Sequence, residues 1–369
     1  MKSALRMCAC WPSASPADDT LPAKFYRILV NVCVTFVCLG GAHEILAFWG
    51  QVDMNETIEC SLVVSAFNMA VIRLIVFNHN TKEMFQVLDT MRQDWTVNYT
   101  SAEDRAVLRN RCRLSFKLAK IFISSVVITW ALFSAMPYVE ALHGHRRILP
   151  FRGYYFFDLD TASSPVYLGV YVINVTLGAF GCSTIAAATS FSLIATIHAS
   201  AKFAVVKKKF ETIDWNEPEQ VKTCVQDHQN SIKYAENVET VINVLALGQF
   251  LVSTGLLCFA GFQVTTMMKD HGRLMKYSSF LQAAIMELFI FSLGGQLMQT
   301  ESLDIAEHAY NSQWIGCTKS INIRMIIMRS RKACTITAGK FYDMSLESFL
   351  KVLSSSFSYF TVLITVKDG

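Results

Sequence analysis

Seven apolar stretches, at about residues 28–49, 60–77, 118–138, 166–197, 241–268, 277–299 and 346–366, dominate this 369-residue chain. Each is near or above the length that crosses roughly 30 Å of hydrocarbon. In lipid every backbone N–H and C=O must find its partner within the protein, which leaves a helix bundle or a closed barrel. The chain lacks ten-residue alternation of apolar and polar residues, so the pattern predicts an all-α membrane protein with seven transmembrane helices. The fourth stretch, at about 32 residues, is long enough to project beyond the bilayer.

Composition agrees with that reading. Hydrophobic residues make up 52% of the chain and its mean hydropathy is +0.34, outside the range of soluble domains. The net charge of +4 is dispersed among loops rather than gathered in a stripe, which argues against a nucleic-acid partner. Residues 1–24 hold no apolar core of the signal-peptide type, and Pro12, Ser13, Ser15 and Pro16 interrupt them. The first span is therefore expected to act as an uncleaved signal anchor.

Lysine and arginine counts set the orientation. Residues 1–27, 78–117, 198–240 and 300–345 hold 23 of them, against 7 in 51–59, 139–165, 269–276 and 367–369. That bias places the N-terminus in the cytosol and, after seven crossings, the C-terminus outside the cell. G-protein-coupled receptors run the other way. Only the short segment 269–276 (KDHGRLMK) opposes this orientation. Asn55-Glu56-Thr57 is a glycosylation sequon in the predicted outer loop, whereas Asn98-Tyr99-Thr100 and Asn174-Val175-Thr176 fall where no glycan is added. The eleven cysteines, almost all in spans or cytosolic segments, read as small apolar fillers.

Catalytic chemistry is not legible. The chain has no G-x-S-x-G, Walker A, H-E-x-x-H or Rossmann fingerprint, and no catalytic residue, metal or cofactor is expected. Arg73 in the second span and Glu287 in the sixth are expensive in lipid, so both should face protein and pair. His43-Glu44 in the first span is read the same way.

The C-terminal stretch carries the most specific pattern. After Trp314 come Lys319, Arg324, Arg329, Arg331 and Lys332, then TAGKFYDMSLESFLKVLSSSF, then SYFTVLITV. Ser354, Ser355, Ser356 and Ser358 suit a helix that lines a wet path rather than a plain anchor. This succession resembles, nearly position for position, the C-terminal signature of insect odorant receptors. The preceding SLGGQLMQTESLDIAEHAYNSQW follows the same pattern, with Gly294-Gly295 permitting close helix approach. Gustatory receptors of the same superfamily are the nearest rival, but usually end on a Thr-Tyr-hydrophobic-Gln-Phe motif instead. A G-protein-coupled receptor fits the topology poorly, and a transporter would show inverted repeats that are absent here.

The resemblance implies the insect odorant receptor channel fold, in the plasma membrane of olfactory sensory neurons. It implies a hetero-oligomeric, tetrameric cation channel in contact with membrane lipid, formed with the odorant co-receptor and opened by a small volatile odorant. Permeant cations would be Na⁺, K⁺ and Ca²⁺. Residues 1–27 would be the cytosolic N-terminus, 28–299 the first six helices, 300–345 a cytosolic anchor, and 346–369 the pore-lining seventh helix with the outer C-terminus. Trp314, Ile315, Ile321, Met325 and Met328 would give the anchor one apolar stripe. The pocket would lie in the outer half of the bundle, where Phe67, Trp130, Phe133, Tyr167, Tyr171, Asn174, Tyr277 and Phe280 become candidates, the aromatics favouring a small aromatic odorant. Tyr138, beside Pro137, reads instead as an interface anchor. The gate falls on Val362 and Val366, which share a helix face, with Thr365 as their polar neighbour. The co-receptor typically has Gln and Leu where this chain has Thr and Val.

Overall fold

The computed structural model describes residues 21–47, 54–99, 101–142, 147–151, 163–317 and 321–368. Seven long helices carry the seven apolar stretches: α1 (Leu21–Ala47), α2 (Met54–His79), α4 (Ala102–Leu142), α5 (Ser164–Glu211), α6 (Pro218–Thr266), α7 (His271–Tyr310) and α9 (Leu346–Asp368). The described residues also form two short helices, α3 (Thr81–Gln93), which runs on into a π-helical turn at Asp94–Asn98, and α8 (Ile321–Ser330). Among the described residues, α1, α2 and α4–α7 are each long and apolar enough to cross a membrane. With 23 residues, α9 reaches about 34 Å at 1.5 Å per residue.

Helix starts follow local chemistry. Pro165 lies in the first turn of α5 and Pro218 in that of α6, where a missing N–H costs nothing. Asp270 caps α7, its carboxylate accepting from the amides of Gly272 and Arg273 at 3.1 Å each. Along the middle of α5, small residues including Ala187, Ala188, Ser192, Ala195 and Ala199 are buried, which lets neighbouring helices approach closely. It packs most heavily on α7 and α4 and also meets α1, α2 and α6, so it forms the centre of the bundle.

The helices outrun their apolar stretches. Residues 102–117, 198–211 and 218–240 continue as helix where the charge pattern indicates connecting segments. Much of their charge is paired: Lys207 meets Glu301 at 2.8 Å, Lys209 meets Asp227 at 2.6 Å, Lys208 meets Glu103 at 2.8 Å, and Arg111 bridges to Glu301. Asp94, fully buried in the π turn, accepts from Lys202 at 2.8 Å and lies 2.9 Å from His198. Burial pushes its carboxyl up, but hydrogen bonds from His198 and Lys202, with the charge of Lys202, hold it below the usual carboxylate range.

Three expectations need correction. The loop predicted at 51–59 is helical from Met54, and Asn55 sits part-buried in the first turn of α2. Its carbonyl accepts from Gln263 Nε2 at 2.6 Å. The segment 269–276 is a tight turn and then helix from His271, so Lys269 alone is a loop charge, while Arg273 and Lys276 belong to α7. Lys276 pairs with Glu59 at 2.5 Å and Arg273 with Glu140 at 3.1 Å. Lastly, the anchor stripe is not one helix. Trp314 and Ile315 lie in the turn before α8; Ile315, Met325 and Met328 are exposed, while Ile323 and Ile326 pack inward.

After α8 the TAGKF segment forms a short hairpin between the two-residue strands β1 (Thr337–Ala338) and β2 (Tyr342–Asp343), joined by the three-residue loop Gly339–Lys340–Phe341. Gly339 at φ 63° and Lys340 at φ 70° both adopt the left-handed region, as a type I′ turn requires. Thr337 donates to Glu239 at 2.6 Å and Asn243 donates to the Thr337 carbonyl at 3.1 Å, fixing the hairpin to α6. A Cβ on Gly295 would overlap the Met344 carbonyl, so the glycine lets the chain entering α9 seat on α7.

Candidate ligand cavity and an exposed helix face

Four of the long helices, with one residue from α6 and Phe151 from the α4–α5 connection, enclose a cavity of about 90 Å³. Its wall takes Val63 and Phe67 from α2, Phe122, Val126, Thr129, Trp130 and Phe133 from α4, Cys182 and Ile185 from α5, and Phe280 and Glu287 from α7. The α4 positions recur every three or four residues, so one helix face supplies them all. The wall is almost entirely carbon, as a site for a molecule with few polar handles should be.

Aromatic rings organise the space. Phe151 meets Phe67 edge-on at 5.4 Å and stacks on Phe133 at 6.5 Å, while Phe133 also touches Phe280 at 5.8 Å. Asn174 of α5 fixes Phe151 by its backbone, accepting from its amide at 3.0 Å and donating to its carbonyl at 2.9 Å. A Cβ on Gly178 would overlap the Phe151 ring, so a glycine one turn along from Asn174 makes room for it.

The candidate residues therefore divide. Phe67, Trp130, Phe133 and Phe280 line the cavity. Tyr277 is buried just behind it, edge-on to Phe133 at 6.2 Å, with the Lys276 ammonium 4.4 Å from the Phe133 ring. Asn174 acts through Phe151. Tyr167 and Tyr171 pack with Leu149 in a separate cluster, and their hydroxyls donate to the carbonyls of Ile148 and Ser134. Tyr138, half exposed, lies against Tyr171 at 5.7 Å. Phe151 and Thr129 were missed: the first comes from a connection without periodicity, and a lone threonine in an apolar helix carries no signal of its own.

The cavity floor is ionic. Arg73 and Glu287 form a salt bridge at 2.7 Å; Thr189 donates to Glu287 at 2.8 Å and Arg73 donates to Gln249 at 2.7 Å. The expectation that these two charges pair within the bundle is met, and Glu287 also reaches the cavity wall.

A second feature lies on α9. Phe349, Val352, Leu353, Ser356, Phe360 and Ile364 face inward, against α6 and α7. The other side, with Ser354, Ser355, Ser358, Thr361, Val362 and Thr365, is exposed in the single chain. Ser358, Thr361 and Thr365 return their hydroxyls to carbonyls of their own helix, at 3.0, 2.7 and 3.0 Å. Such back-bonding lets the face meet either water or another apolar surface. Val362 and Thr365 both belong to it; the side chain of Val366 lies outside the described residues.

Comparison with known proteins gives a consistent result. The family model described as 7tm Odorant receptor matches residues 53–357. Odorant receptor 10 of Aedes albopictus is 26% identical over 360 residues, covering 91% of this chain and 90% of that protein. Odorant receptor 13a of Drosophila melanogaster is 24% identical over 334 residues, covering 83% and 79%. The solved structure of the insect olfactory receptor OR5 from Machilis hrabei in complex with eugenol has a TM-score of 0.88 at 15% identity, over 99% of this chain and 96% of that one.

Proposed function

This chain belongs to the 7tm odorant receptor family, and on that premise we propose that it is the odorant-tuning subunit of a ligand-gated, weakly selective cation channel. As an odorant receptor with several membrane-spanning helices, it is of a receptor family and not an enzyme family, and the family match favours it over a gustatory receptor. The finer reading is that a small volatile binds in the cavity among α2, α4, α5 and α7, and that four α9 helices surround the pore. The partner is the odorant co-receptor, in a heterotetramer at the plasma membrane of olfactory sensory neurons. Residues 1–27 and 300–345 lie in the cytosol, 346–369 carry the pore helix and the outer terminus, and Asn55 is the glycosylation site.

The observation that carries the channel reading is the unpartnered hydroxyl face of α9. An isolated apolar anchor would spread leucine and valine around its whole circumference. This helix buries one apolar stripe and, beside the exposed Leu350, Phe357, Tyr359 and Val362, exposes Ser354, Ser355, Ser358, Thr361 and Thr365. In a ring of such helices, Val362 at the outer end would hold the path shut by dewetting, and slight dilation would open it. An aromatic odorant suits the ring-lined cavity, and the insect receptor OR5 of like fold was solved with eugenol, itself aromatic.

Recording from cells that express this chain with and without the co-receptor tests the reading. Odorant-gated current is expected only with both subunits present. Equal currents in the two conditions would remove the obligate partner, and no odorant-gated current in either would remove the channel.

A further inference from the structure

The cavity wall contains few polar atoms, and nearly all are committed. Trp130 donates its indole N–H to the Val175 carbonyl at 3.3 Å. Glu287 is held by Arg73 at 2.7 Å, Thr189 at 2.8 Å and Gln249 at 3.4 Å. Met69 and Cys182 contribute only sulfur, a weak hydrogen-bonding atom. Thr129 is different. It is 9% exposed, and its hydroxyl is buried with no partner in the protein.

That hydroxyl is unusual for its setting. The other buried helical threonines of this bundle all have a partner: Thr184 bonds the Phe180 carbonyl at 2.9 Å, Thr196 the Ser192 carbonyl at 2.8 Å, and Thr189 donates to Glu287 at 2.8 Å. Thr129 makes no such bond to Ser125. A buried hydroxyl without a partner costs on the order of 1–3 kcal/mol, so its persistence at the wall of a cavity of about 90 Å³ asks what completes it. Thr129 also sits in the middle of the α4 face that lines the cavity, one residue before Trp130 and one turn before Phe133.

Resting on the reading of this cavity as the odorant site, we propose that the Thr129 hydroxyl is its hydrogen-bond handle and that it selects compact apolar molecules bearing one acceptor oxygen. Ketones, ethers and alcohols all supply such an oxygen. Within the protein the hydroxyl neither donates nor accepts, and an orphaned donor is tolerated less well than an under-used oxygen, so an acceptor on the ligand completes the wall. A hydrocarbon of the same shape fills the aromatic cage equally well and leaves Thr129 bare. The ionic floor does not compete for the ligand: two Arg73 N–H groups also lack partners, but Arg73 lies behind Glu287 and is not part of the cavity wall, and Glu287 is an acceptor already held by three neighbours.

Matched pairs of odorants test this with the full chain co-expressed with co-receptor. Suitable pairs are acetophenone with α-methylstyrene, anisole with ethylbenzene, and 2-heptanone with 2-methyl-1-heptene. The wild type should prefer the oxygenated member in each pair that acts. Thr129→Val, which removes the hydroxyl at nearly constant shape, should weaken that member by about three- to tenfold and leave its hydrocarbon twin unchanged or improved. Thr129→Ser should keep the wild-type ranking. A wild type on which hydrocarbons act equally well, or on which no oxygenated member acts, overturns the proposal. So does a Val variant that shifts both members of a pair alike.

Phe133→Ala separates this failure from failure of the cavity reading. If Phe133→Ala shifts potency while Thr129→Val does not discriminate within pairs, the handle is wrong and the cavity stands. If neither substitution moves any potency, the cavity itself is wrong and the handle falls with it. Should the Val variant not reach the cell surface, Thr129→Cys replaces it, since a thiol is a poor donor. A Cys variant that ranks the pairs as the wild type does would equally overturn the proposal.

Discussion

At the residue scale, burial of charge is the sharpest constraint in the molecule. Arg73 is completely buried, and its carboxylate partner Glu287 is 7% exposed. Removing one member of such a pair leaves an uncompensated charge in a dry interior, at a cost of about 3–5 kcal/mol. Replacing both by apolar residues of similar volume is often close to neutral. Glu287→Leu is therefore expected to abolish most cell-surface receptor and to lower the unfolding temperature in detergent. The double variant Arg73→Met/Glu287→Leu should recover much of both. Surface labelling and thermal unfolding of the three proteins decide it, and a double variant no better than the single one would mean that the pair is not the interaction that matters. This pairing was legible in the sequence, because two charges in apolar spans have few ways to be tolerated. The choice among aromatics was less so. Tyr167 and Tyr171 share a helix face, as Phe133 and Trp130 do, yet their hydroxyls are drawn to the backbone carbonyls of Ile148 and Ser134, away from the cavity. Spacing groups side chains on a face; it does not say what that face meets.

At the element scale, existence of the helices was readable and their extent was not. Apolar stretches mark only the part of a helix that must satisfy its surroundings with carbon. The polar continuations at 102–117 and 218–240 satisfy theirs with ion pairs between neighbouring helices, such as Lys209 with Asp227, and so carry little hydrophobic periodicity. The hairpin after α8 was not predicted from the sequence, where TAGKF served only as part of a family pattern, and the apolar stripe expected from Trp314 to Met328 is helical only from Ile321. On α9 the two faces differ in chemistry, which makes a clean test. Val362 is 59% exposed in the single chain and lies in line with Ser358 and Thr365. Val362→Glu places a carboxylate where an apolar ring would exclude water, so leak current or cation permeability should rise while the order of odorant potencies stays fixed. The variant is read by current at zero odorant and by reversal potentials. A change in odorant ranking with unchanged conductance would move Val362 from the pore to the ligand site.

At the scale of the whole molecule, orientation ties the cavity and the pore to opposite demands of one bilayer. On the function proposed above, odorant would reach the cavity from outside or from the outer leaflet, and α9 would end at the outer surface for Val362 to close a pore there. The count of 23 basic residues against 7 argues for this sense. Its one opposing segment loses force once Arg273 and Lys276 are seen in helix, each paired with a carboxylate on a neighbouring helix, Glu140 and Glu59. Ion pairing lowers what those cations contribute to the inside–outside bias, while several inner-side charges, including Lys332 and Arg331, remain exposed. An epitope placed after Gly369 should therefore stain on intact, unpermeabilised cells, and one placed before Met1 should stain only after permeabilisation. Staining of the N-terminal tag on intact cells would reverse the bundle in the membrane. The cavity residues Phe67, Trp130 and Phe133 would then open towards the cytosol, and both the odorant site and the outer gate argued here would fail together.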